Sequence, residues 1–140
     1  MKPLIKFILT LMLLAAPLLS QGQSSLYKKY EAAKDVEVYY MKGYKEYAGR
    51  KLDATLVRYE GNDRVRCRQI YTQLTNEAFR LTSFHLVQNR KLISSYWYSK
   101  GCVMIINYKV SLGQIECMLL EGDFTKTEMK EFMVELKVKD

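Results

Sequence analysis

His85 is the single histidine of the 140-residue chain, so any Ser-His-Asp or Cys-His nucleophilic arrangement must use it as the base. It sits within Phe84-His85-Leu86-Val87, an apolar strand-like run in which a histidine is a packing residue. We therefore assign it no catalytic role. The sequence has no G-x-S-x-G, no phosphate-cradling glycine loop and no H-E-x-x-H. Its three cysteines, Cys67, Cys102 and Cys117, form no C-x-x-C pair, so no zinc site is announced and no metal or other cofactor is expected. An odd count leaves at least one thiol free. Cys102 and Cys117 fall on neighbouring strands, but a turn at Leu112-Gly113 would set Tyr108 opposite Cys117, which argues against a disulfide between the two cysteines. Glu128 and Glu131 read as solubilising charge on a helix, not as a general acid and base. No enzyme is expected.

Aromatic and basic residues offer binding chemistry instead. Eleven tyrosines and Trp97 fall after residue 22, with Tyr96-Trp97-Tyr98 consecutive. On a strand, Tyr96 and Tyr98 share one face and Trp97 takes the other. Two readings stay open. If Tyr96 and Tyr98 are exposed beside Arg90, Lys91 or Lys100, they make an amphipathic platform for an envelope protein, a peptide or a glycan. Otherwise the tyrosines cover a half-buried sheet. Charge is uneven as well. From Arg64 to Ile115 the basic residues are Arg64, Arg66, Arg68, Arg80, Arg90, Lys91, Lys100 and Lys109, against Glu77 alone. This central region is either a patch for an anionic envelope polymer or a solvated surface.

The address comes from the start of the chain. Lys2 and Lys6 precede an apolar run over 7–19, and Ser20-Gln21-Gly22 supplies small residues for cleavage, so residues 1–22 are expected to be a signal peptide. Thirteen apolar residues fall short of the roughly 20 that span a bilayer, so no stable membrane span is expected after cleavage. Residues 23–140 then make one exported domain, periplasmic or extracellular, with no nucleic acid as partner. Without Lys2 and Lys6 the net charge of +7 falls to +5.

The elements that would position these residues are legible in outline. Ser24 or Ser25 can cap a helix to about Lys34, followed by a strand over Val36–Tyr40 and an ambiguous stretch from Gly43 to Gly49. A second strand covers Leu52–Tyr59. Arg64 to Leu81 fits a helix with Cys67, Tyr71, Leu74, Ala78 and Leu81 on one stripe and Ile70 beside them, or a hairpin arm with Arg64, Arg66 and Arg68 on one face; the stripe persists for four turns and favours the helix. Strands follow at Ser83–Val87, Leu92–Tyr98, Cys102–Tyr108 and Gln114–Leu120. Cys102–Tyr108 is apolar enough to be buried on both faces. Thr125 and Glu128 form a capping box for a last helix bearing Met129, Phe132, Met133 and Leu136, with Phe124 stapled onto Met129. Tight turns pair strands antiparallel, so the expected class is α+β: two layers, with a mostly antiparallel sheet and helices on one face.

Leu26-Tyr27-Lys28-Lys29-Tyr30 followed by Asp35-Val36-Glu37-Val38-Tyr39 resembles the opening of small exported Bacteroidetes-type domains of unknown function. Leu119 to Phe124, running into a capped helix, is similar to how those domains close, although Asp35 stands where they often carry glycine. The resemblance implies an envelope protein of unassigned activity and supplies no catalytic residues. A non-catalytic domain that binds a protein, peptide or glycan through an aromatic sheet face is the first expectation. Electrostatic binding of an anionic polymer by the basic central region is the alternative.

Overall fold

A computed structural model describes residues 25–79, 83–88 and 91–139. The expected signal peptide, together with Arg80, Leu81 and Arg90, lies outside the described residues. Helix α1 (Ser25–Tyr30) is shorter than expected, ending in turns before Val36. Strands β1 (Glu37–Tyr47) and β2 (Arg50–Glu60) form a long hairpin. The ambiguous Gly43–Gly49 stretch is the continuation of β1, which slips register between Met41 and Lys45, where Gly43 takes a left-handed φ of 65°.

Helix α2 (Arg64–Ala78) resolves the helix-or-hairpin alternative. Asp63 starts it by accepting the backbone N–H groups of Val65 (3.0 Å) and Arg66 (3.1 Å), and the Cys67, Ile70, Leu74 and Ala78 stripe is buried. Asp63→Ala is expected to lower stability by about 1 kcal/mol, read from a urea midpoint. Strands β3 (Ser83–Gln88), β4 (Leu92–Ser99), β5 (Cys102–Lys109) and β6 (Gln114–Glu121) follow, with a 3₁₀ turn at Val110–Leu112. Helix α3 (Lys126–Lys139) closes the chain. Its capping box is formed: the Thr125 N–H donates to Glu128 (3.0 Å) and the Glu128 N–H to the Thr125 hydroxyl (3.1 Å).

The six strands among the described residues pair antiparallel in the order β1-β2-β6-β5-β4-β3, so the α+β class and the antiparallel sheet are as expected. The layering differs. Met104 and Ile106 of β5 pack in one core with Val57, Ile115, Cys117 and the buried residues of α1 and α2. Val103 and Ile105 point the other way, into a second core with Leu52, Ala54, Leu120 and the Met129, Phe132 and Met133 stripe of α3. Helices therefore cover both faces, giving three layers instead of two. The physical reason lies in β5 itself, whose alternate residues are apolar on both sides and need cover on both.

The register of the last hairpin also differs. Ile106, not Tyr108, opposes Cys117, because the 3₁₀ turn consumes Val110–Leu112 before Gly113 reverses the chain. Cys102 faces Glu121 instead, and all three cysteines are free. No helix among the described residues is long and apolar enough to cross a membrane.

Candidate functional site

The structure scatters the residues proposed for an aromatic platform. Strand β4 lies between β3 and β5, and both of its faces are covered. Tyr96 is 6 % exposed and lies in the core under α3, with the Lys137 ammonium 5.9 Å from its ring centre. Tyr98, half-buried on the same face, has Lys126 at 6.0 Å. Trp97 is 4 % exposed on the opposite face, met edge-on by Phe79 at 5.3 Å. Burial of Tyr96 and Trp97 by the two helical layers removes the exposed sheet face that the platform requires. The cations do not converge either. Lys91 and Lys100 are exposed at opposite ends of β4, roughly 30 Å apart along an extended strand. His85 falls in β3, with its side chain outside the described residues.

A row of titratable side chains that sequence reasoning missed crosses the sheet. Asp53 on β2 opposes Glu121 on β6, which opposes Cys102 on β5, so all three share the face that carries α2. Asp53 accepts the Gly43 N–H (2.8 Å) and the Tyr40 hydroxyl (3.1 Å). Burial, helped by the neighbouring Asp53 carboxylate, pushes Glu121 above the usual carboxylate range. Burial and then Glu121 push the Cys102 thiol up to about 11. Such a thiol stays protonated at neutral pH and is a poor nucleophile. Among the described residues no group of His, Cys, Asp and Glu is placed to hold a metal. The row therefore carries proton energetics.

That gives a pH prediction. A carboxyl raised in the folded state favours folding when protonated. Its contribution is full below the unfolded value near 4.3 and is lost as pH rises through the folded value. Glu121→Gln is expected to gain stability relative to the parent as pH rises from about 4 toward neutrality. Parallel denaturation series at several pH values would read the difference, and a pH-independent difference would sink the idea.

The surface of α2 is divided by charge. One flank is tied to the segment around α1: Arg66 forks onto Asp35 (2.6 and 3.0 Å), Gln73 accepts from the Tyr30 hydroxyl (3.0 Å), and Lys29 meets Glu77 (3.2 Å). The other flank carries Arg64 and Arg68, both exposed, and Tyr71, whose ring lies 5.0 Å from that of Tyr108 on β5. Burial and the Cys67 thiol raise the Tyr108 hydroxyl above its ordinary range, while Arg68 and Arg64 act in the opposite direction. Helical spacing puts Arg64, Arg68 and Tyr71 on one flank, three and four residues apart. Neither arginine forms an ion pair among the described residues. The sequence signal for this flank was the run of basic residues; the loss of Arg66 to Asp35 depended on a contact 31 residues away.

Comparison with protein-family models, curated proteins and solved structures finds no match for this chain.

Proposed function

We propose that this is an exported, non-catalytic envelope domain that binds an anionic partner through the Arg64–Arg68 flank of α2. Lys2, Lys6 and the apolar run over 7–19 support export. The observation carrying the binding reading is the division of the arginines. Five have described side chains: Arg50, Arg58, Arg64, Arg66 and Arg68. Arg50 pairs with Glu128, Arg58 with Glu60 (2.7 Å) and Glu37 (3.5 Å), and Arg66 with Asp35 (2.6 Å). Only Arg64 and Arg68 project without a carboxylate, one turn apart beside the Tyr71–Tyr108 pair. Guanidinium groups so placed favour sulfate, phosphate or carboxylate groups on a partner.

Dextran sulfate is a suitable soluble polyanion for the test. Binding should weaken steeply as salt rises, and the Arg64→Ala/Arg68→Ala variant should lose roughly thirty-fold at low salt, taking about 1 kcal/mol per basic residue at an anionic surface. Both positions are solvent-facing, so the double variant should stay within about 0.5 kcal/mol of parental stability. Salt-insensitive binding, or an unchanged double variant, would end the proposal.

A further inference from the structure

Beside that flank lies one end of the sheet that exposes apolar side chains. Val65 at the start of α2 is 74 % exposed, and Leu112 and Val110 in the β5–β6 turn are 63 % and 44 % exposed. The backbone holds these two connections together: the Gly61 N–H donates to the Gly113 carbonyl (3.2 Å). The start of β4 joins them, since the Val110 N–H donates to the Lys91 carbonyl (3.1 Å). The strand register agrees, with Glu60, Gln114, Lys109 and Leu92 abreast at this end. Arg64 and Arg68 lie in the first turns of α2, Lys109 ends β5 and Lys91 immediately precedes β4, so four cations fall at this same end.

Three acids at this end are already engaged. Asp63 caps α2, accepting from Val65 and Arg66. Glu60 holds Arg58 (2.7 Å) and accepts the Gln114 amide (3.3 Å). Asp35 is forked by Arg66.

We propose that this end of the domain docks on an anionic lipid surface, with Val65, Val110 and Leu112 entering the headgroup region and Arg64, Arg68 and Lys109 meeting lipid phosphates. The proposal rests on the anion-binding reading above and deepens it by naming the partner. A hydrated soluble polymer gains nothing from exposed valine and leucine, whereas the boundary between headgroups and acyl chains takes them out of water. Cations at the same end as exposed apolar side chains complement a negatively charged bilayer surface, where each basic residue contributes about five-fold in binding.

The test uses the whole chain with two probes: dextran sulfate, and vesicles of phosphatidylcholine with or without phosphatidylglycerol. Variants compared in the same background cancel any contribution from residues 1–22. The parent should prefer vesicles that contain phosphatidylglycerol. Val65→Ser/Leu112→Ser should weaken vesicle binding roughly tenfold and leave dextran sulfate binding unchanged. Arg64→Ala/Arg68→Ala should weaken both by roughly thirty-fold. If the Val65→Ser/Leu112→Ser protein binds vesicles like the parent while the arginine variant loses dextran sulfate, the lipid assignment falls and anion binding stands. If the arginine variant keeps both partners, the two readings fall together.

Discussion

Phe132→Ala is expected to remove about 3–5 kcal/mol of folding stability, a large share of what a domain of this size possesses. Phe132 is fully buried at the centre of the α3 core, among Met129, Met133, Leu120 and Leu52. Its ring lies 4.7 Å from that of Tyr47, whose ring is in turn 5.9 Å from Phe124. The side chain thus joins three parts of the chain: α3, the far end of β1, and the segment after β6. Truncation loses the transfer free energy of the ring and leaves a cavity beside the Tyr47 ring. A urea titration would show a lower midpoint at unchanged slope. Val134→Ala supplies the control, because Val134 sits on the same helix yet faces solvent and should shift stability by less than about 0.5 kcal/mol. Equal effects at the two positions would mean that α3 does not pack as described.

The second large effect is at the turn between β5 and β6. Gly113 has φ of 58°, and a Cβ placed there would stand 2.2 Å from the Gly61 carbonyl oxygen. Gly113→Ala therefore meets two costs. Left-handed backbone is unfavourable for alanine by about 1–2 kcal/mol. The clash is with backbone, so the hydrogen bond from the Gly61 N–H to the Gly113 carbonyl must also stretch or break. A loss of about 2–4 kcal/mol is expected. Gly49 separates the two contributions. Its φ is 78°, but nothing lies within 4 Å of the added Cβ, so Gly49→Ala should show the backbone term alone, about 1–2 kcal/mol. Equal losses at the two glycines would show that Gly61 yields without cost.

Local patterns carried much of the fold. The capping box of Thr125 and Glu128, the four-turn stripe of α2 and the alternation of the strands are short-range features, and each is present. The layering went astray over a signal that was available. Val103 to Ile106 read as buried on both faces, and that burial calls for a layer on each side. Tyr96 and Trp97 are buried by the same two layers. The hairpin register depended on how many residues the turn consumes, which Val110-Ser111-Leu112-Gly113 does not announce. The row of Asp53, Glu121 and Cys102 was beyond reach of local reasoning. It requires β2 to lie beside β6, a pairing of residues 68 positions apart in the chain. The same holds for the unpaired flank of α2. Eight basic residues made a basic surface legible, but which arginines remain available was decided by Asp35, Glu37, Glu60 and Glu128, whose partners only the fold selects.

The kink in β1 has a consequence for how copies of this chain behave in a crowded compartment. β1 is an outer strand of eleven residues, and an outer strand that long is a template on which another chain can grow. Only Glu37 to Met41 run in continuous register before the slip at Gly43. Asp53 holds that slip in place by accepting the Gly43 N–H. An incoming strand would have to reproduce the same irregularity to continue beyond Met41. The carboxylate that fastens the bulge from inside the sheet thereby shortens the stretch of this outer edge that offers continuous pairing.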